Sequence, residues 1–109
     1  MHVELPVIRG LRMDLRPPDT GPGVAAAALI ADPTRAGILA LLRAGPHCVC
    51  EMAAAFNERP NNVSNHLARL RGAGLVRISR ASADARRAYY ERDEAACAAA
   101  MAGIAEILR

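Results

Sequence analysis

A small, mainly helical domain with one β-hairpin, ordered α-α-α-α-β-β-α, is the fold class the sequence predicts. Three observations predict it. Apolar residues recur at helical spacing over residues 33–43, 48–57 and 60–74. The period then switches to alternation, with Val76 and Ile78 separated by Arg77. Aromatics are limited to Phe56, Tyr89 and Tyr90, with no Trp, so Ala, Leu, Ile and Val must fill the core, which suits closely packed helices. The 109 residues fit one domain. A domain of this size buries a limited core, and a partner chain would add to it.

Residues 1–23 read as an N-terminal arm and residues 24–109 as the folded domain. In the arm, Val3, Leu5 and Val7 alternate, as do Leu11, Met13 and Leu15, so short extended pieces are expected. The run "RPPDTGPG" then breaks regular structure. The first helix is expected from Val24 to Ala31. Asp32 and Pro33 supply a cap and a first-turn proline for the second helix, which runs to Arg43 and ends at Gly45-Pro46. In the third helix, "CVCEMAAAFN", Val49, Met52, Ala53 and Phe56 form one buried stripe. The turn "ERPNN" leads to the fourth helix, "PNNVSNHLARLRGAG", with the stripe Val63, Leu67 and Leu70. A hairpin follows, turning through "ASADARR". The last helix starts near Asp93 and is apolar except at its ends.

Two short helices joined by a tight turn and followed by a hairpin describe a winged helix-turn-helix. The expected partner is double-stranded DNA. Net charge is +3, and all fourteen basic residues are Arg, whose planar fork suits phosphate and guanine. With Val63 at the centre of the buried stripe, about 100° per residue points Asn61, Asn65 and Ala68 the other way. Asn62 and Ser64 lie on the flanks. Asn can bond adenine at N6 and N7, which makes Asn61 and Asn65 the base-reading candidates. His66 lies at the stripe's edge, suited to half packing and half phosphate contact. Arg69 and Arg71 have the reach for phosphate, as do Arg80, Arg86 and Arg87 beside the hairpin turn.

No run approaches the roughly 20 apolar residues that span a bilayer, and the start lacks a signal-peptide pattern. A soluble, cytoplasmic protein without a membrane partner is expected. Its three cysteines are then thiols, metal ligands or redox groups rather than structural disulfides. Two of them, Cys48 and Cys50, stand in "HCVCEM". Residues i and i+2 in an unbroken helix point about 200° apart and cannot clasp one ion. At a helix start they can. Both flank the Val49 and Met52 stripe rather than joining it, and a helix N-terminus favours thiolate. Thiolates select soft ions such as As(III), Cd(II), Pb(II), Cu(I) or Zn(II). His47, His2 and Cys97 are candidates to complete the site, although packing is the commoner fate of a Cys in an apolar helix such as Cys97's. The α-amine of Met1 with His2 suits Ni(II) or Zn(II). Oxidation of the thiols, or control by a co-regulator protein, would account for the same residues. No nucleophile–base set, phosphate loop or metal-hydrolase motif is present, which argues against an enzyme.

"ADPTRAGILALL", "HCVCEMA", "NNVSNHLARLRGAGLVR" and "RRAYYE" resemble, in order and spacing, the ArsR/SmtB family of bacterial winged-helix regulators. The resemblance covers residues 24–109. It implies a homodimer that represses from operator DNA and releases it when an effector binds; "GVAAAALIA" and "AACAAAMAGIAEIL", too apolar to face water on every side, are expected to join the two copies through the first and last helices. A Cys-Val-Cys on the third helix is, in that family, the hallmark of an As(III) or Cd(II)/Pb(II) site. Here no further Cys follows soon after, and the arm has none. The family's last-helix zinc site is missing, since Asp93 is followed by Glu94 and Ala95. Many relatives also cap the fourth helix with Ser, where this chain has Arg59.

Overall fold

The structure is a computed structural model that describes residues 16–80 and 86–109. It contains α1 (Gly21–Ile30), α2 (Pro33–Leu41) with a 3-10 turn (Leu42–Ala44), β1 (His47–Cys48), α3 (Val49–Phe56), α4 (Pro60–Gly72), β2 (Val76–Ile78), β3 (Tyr89–Arg92) and α5 (Glu94–Leu108). The extended pieces expected around Val3 to Leu15, and most of the hairpin turn, lie outside the described residues.

Helix α1 begins three residues before the expected Val24. Pro22 needs no donor in a first turn, and the Asp19 carboxylate accepts from the Gly21 N–H at 3.0 Å. Gly23 and Gly103 are there because α1 and α5 cross backbone to backbone. A Cβ on Gly23 would collide with the Gly103 carbonyl oxygen. The Asp32 cap forms as expected, its carboxylate accepting from the Arg35 N–H at 3.0 Å. Gly45, at φ 133, ends the following turn. The Asp93 carboxylate caps α5, accepting from the Ala96 N–H at 2.9 Å.

The hairpin is part of a three-stranded antiparallel sheet in the order β1-β3-β2. Cys48 pairs with Tyr89 and His47 with Tyr90 across β1 and β3, and Val76 pairs with Arg92 across β2 and β3. Strand β1 is absent from the sequence reading because two residues carry no periodicity and only the partner strand defines them.

Ile38, Leu42, Met52, Ala53, Val63, Leu67, Leu70, Leu75 and Val76 form the core. The stripe of α4 is buried as expected. Its three aliphatic side chains contribute about 1.5–3 kcal/mol each, an upper range set by full burial. Phe56 packs against Gly37, where an added Cβ would lie 2.6 Å from its ring. This holds α3 against α2. Helix α5 is different. It has no buried residue, and Met101, Ile107 and Leu108 are exposed, as are Val24 and Ile30 of α1. No single helix among the described residues is long and apolar enough to cross a membrane.

Candidate nucleic-acid interface and thiol pair

Helix α4 opens at Arg59, in extended conformation, with Pro60 at its first position. No side chain caps it, so the departure at Arg59 leaves its first turn to backbone bonds: the Arg59 carbonyl accepts from the Asn62 and Val63 N–H groups at 3.0 and 3.1 Å. Arg69 and Arg71 fall in its last turn, where cations complement the helix dipole.

Asn61, Ser64, Asn65 and Arg69 are exposed on the side away from the core. Asn62 is exposed too, and its amide donates to Glu58 Oε1 at 3.1 Å. His66 is half-buried, in keeping with the packing half of its expected role, and its ring meets α2. Its Nδ1 lies 3.2 Å from Arg35 Nη1, and its Nε2 lies 3.7 Å from Asp32 Oδ2. Periodicity shows which flank His66 faces but not which partner α2 brings there. An open polar cleft of about 370 Å³, lined by Arg35, Asn62, Asn65, His66 and Arg69, lies along this flank.

In the hairpin, Arg80, Arg86 and Arg87 are exposed. Arg87 is also close enough to the thiols to feel them. The charge of Cys50 and a hydrogen bond with Tyr89 raise its already high pKa. Beside β2, Arg77 donates to Glu91 Oε2 at 2.8 Å and pairs with Asp93 at 3.1 Å.

Cys48 and Cys50 come together at the start of α3, with sulfurs 2.9 Å apart. Cys48 is the residue before the helix, at φ −92 and ψ 168. Its extended backbone frees the pair from the 200° divergence of a helix. Glu51 closes the turn, its Oε1 accepting from the Cys48 N–H at 2.9 Å, and that bond holds the Glu51 carboxyl below its usual pKa.

Two expectations about Cys48 are overturned. It is not a flanking thiol outside the core but 1% exposed, whereas Cys50 is exposed. A helical wheel does not apply to a residue in β1, and pairing with Tyr89 turns Cys48 inward. Nor does the helix N-terminus win at this sulfur. Burial and the hydrogen bond to Cys50 push the Cys48 thiol up, favouring the protonated form.

His47 points its Nδ1 to the Gly45 carbonyl at 2.8 Å. Cys97 is half-buried against Leu75, its sulfur 3.8 Å from that carbonyl, and burial pushes its thiol up as well. Among the described residues, no group of three or more His, Cys, Asp and Glu could hold a metal ion. His2 lies outside the described residues.

The arrangement has clear likenesses. Residues 32–77 match the model of bacterial regulatory proteins of the arsR family. The arsenical resistance operon repressor of Escherichia coli K12 is 43% identical over 49 residues, which are 44% of this chain and 42% of the repressor. The chain thus aligns with less than half of that curated relative. The crystal structure of a possible transcriptional regulator for arsenical resistance is 30% identical and superposes with a TM-score of 0.70 over 78% of this chain and 85% of that one. The chain belongs to the ArsR family. A second solved structure, the homodimeric winged helix-turn-helix DNA-binding domain of a possible ArsR-family transcriptional regulator from Mycobacterium bovis, is 25% identical with a TM-score of 0.61 over 78% of each chain. This ArsR-family chain is therefore a winged helix-turn-helix, with α4 in the second-helix position and the β2–β3 hairpin as its wing. The family is one of regulatory proteins, not enzymes.

Proposed function

We propose that the chain is a dimeric DNA-binding transcriptional repressor of the arsenical-resistance type, which releases its operator when Cys48 and Cys50 bind a thiophilic metal or metalloid ion. The observation that carries this reading is the approach of the two sulfurs to 2.9 Å, where strand β1, paired with the wing strand β3, passes into helix α3. The names of the Escherichia coli repressor and of the arsenical-resistance regulator point the same way.

Asn61, Asn62, Ser64, Asn65, His66 and Arg69 on α4, with Arg86 and Arg87 on the wing, form the DNA face. Asn61 and Asn65 read base edges and the arginines hold phosphate. Two copies pair through α1 and α5, which places two such helices on an imperfect palindrome. Support for the pairing comes from the bare apolar surface of α5 and from a hollow of about 230 Å³ lined by Ile30, Cys97, Met101 and Ile104 among others. The domain that carries both functions takes in the whole of α1 from Gly21, since Gly23 packs against α5, and so begins before the expected Val24.

The thiols fit part of an ion site. Bonds of about 2.3 Å at a tetrahedral angle hold two sulfurs roughly 3.8 Å apart, so this pair must open by about 0.9 Å to clasp an ion of that geometry. With Glu51 engaged at the Cys48 N–H and His47 at Gly45, the remaining ligands come from outside these groups: water, an external thiol, or the arm. An ion content with few ligands, As(III) ahead of Cd(II) or Pb(II), suits two sulfurs best. Ni(II) or Zn(II) would draw on the arm and His2. Binding displaces thiol protons, which the buried Cys48 holds tightly, so ion affinity should rise with pH. Opening the pair moves the first turn of α3, and Met52 and Phe56 carry that movement to α4. A coupling of about 1–3 kcal/mol is ordinary for such a switch.

The test is operator binding by fluorescence anisotropy, titrated with As(III), Cd(II), Zn(II), Ni(II) and a thiol oxidant. Cys48→Ser combined with Cys50→Ser should still fold and bind DNA yet ignore the ion. If the double variant keeps full ion-dependent release, the sensing site lies elsewhere. Release by oxidant alone, reversed by a reductant, would favour a thiol redox switch, which the same close sulfurs would serve.

A further inference from the structure

Arg35 lies outside both the reading helix and the thiol pair, yet its guanidinium joins three helices. Its Nε donates to the Leu29 carbonyl at 2.7 Å and its Nη2 to the Ala28 carbonyl at 3.4 Å. These are carbonyls of the last turn of α1, which have no partner within their own helix. Its Nη1 meets His66 Nδ1 on α4 at 3.2 Å. An arginine has donors only. His66 Nδ1 is therefore the acceptor, and the neutral ring carries its proton on Nε2, toward Asp32 at 3.7 Å. A second tie runs beside the first. Thr34 Oγ1 donates to Glu58 Oε2 at 3.4 Å, and Glu58 Oε1 accepts from Asn62 at 3.1 Å. Both ties run from the first turn of α2 to one flank of α4.

That flank controls rotation. The buried stripe of Val63, Leu67 and Leu70 attaches α4 through contacts that have no direction. A helix with side chains has a radius of about 5–6 Å, so a 20° roll about its axis would move an outward atom by roughly 2 Å. Such a shift exceeds the tolerance of a hydrogen bond to a base edge. Directional bonds on the flank can prevent it.

We propose that Arg35 is a positioning residue for DNA recognition: it fixes the rotation of α4 by holding His66 against the last carbonyls of α1, so base discrimination depends on a side chain that touches no base. This rests on the reading of α4 as the DNA-reading helix.

The probe is the duplex that the wild-type chain enriches from a random-sequence pool, compared with a shuffled duplex. Arg35→Ala should lose about tenfold or more on the selected duplex, the scale of one bidentate base contact, and under about twofold on the shuffled one. Arg35→Lys keeps the charge but cannot reach the α1 carbonyls and His66 together, so it should leave most of the loss in place. His66→Ala should lose as much as Arg35→Ala, and the double variant no more than either. Imidazole nitrogen NMR at mildly alkaline pH should find His66 as the Nε2–H tautomer in wild type and as a mixture in both Arg35 variants.

Recovery by Arg35→Lys, additive losses, or a salt slope reduced by about one for Arg35→Ala would make Arg35 a phosphate contact and overturn the proposal. So would wild-type binding by His66→Ala, which stands even if an Arg35 variant fails to fold. A wild-type chain that enriches no duplex refutes the DNA-binding reading, and this inference falls with it.

Discussion

Gly23→Ala perturbs the crossing of α1 and α5 within one chain, the two helices through which a pair of copies is proposed to meet. The added Cβ would lie 2.6 Å from Ile107 Cδ1 and 2.9 Å from the Gly103 carbonyl carbon, and would overlap the Gly103 oxygen. The isoleucine tip can rotate away, but the carbonyl belongs to the backbone of α5 and cannot. Overpacking of this kind costs about 1–3 kcal/mol. Replacing a helical glycine by alanine returns about 0.8–1 kcal/mol. With backbone as the obstacle, a net loss of about 1–2 kcal/mol is expected, or roughly 5–15 °C in Tm for a domain of this size. Gly72→Ala is the control. It lies at the end of α4 with nothing within 4 Å of the added Cβ, and it should be neutral or slightly stabilising. Thermal unfolding followed by circular dichroism measures both. Sedimentation should find the wild type dimeric at micromolar concentration and Gly23→Ala more dissociated. A Gly23→Ala protein that melts with the wild type and sediments like it would refute the backbone crossing.

Asn65→Ala should weaken binding to the selected operator by about 1–3 kcal/mol and leave Tm unchanged, because Asn65 points away from the core; equal operator affinity would misplace the reading face. The Glu51 carboxyl is held below its usual pKa by the Cys48 N–H. Its support of the α3 start should be fully present above the unfolded carboxylate value, about 4.3, and disappear as pH falls through the lowered one. The protection factor of the Cys48 amide, its exchange corrected for the intrinsic pH dependence, should therefore fall in acid in the wild type and stay flat in Glu51→Gln. A flat protection factor in both would remove the carboxylate from the cap.

The helices and their buried stripes were legible because periodicity is local. Val63, Leu67 and Leu70 repeat at helical spacing, and Asp32 stands directly before a first-turn proline. What escaped depends on partners distant in the chain. The burial of Cys48 follows from pairing with Tyr89, and nothing within "HCVCEM" announces that strand. The protein partner of His66 is Arg35, 31 residues earlier, and no local pattern points to it. Composition located the start of α1 poorly, since "GPG" reads as a breaker. Only the crossing with Gly103 shows why glycine belongs there.

The pairing of Cys48 with Tyr89 makes the thiol a fulcrum. One arm of the lever runs through α3 to the reading helix, and the other through β3 to the wing. Under the proposed function, a single ion would disturb base-edge and phosphate contacts of the same half-site together. Free energies add, so affinities multiply: a tenfold loss on each arm becomes about a hundredfold for the half-site. Neither arm then needs to move far, and a small opening of two sulfurs suffices to detach the half-site as a unit.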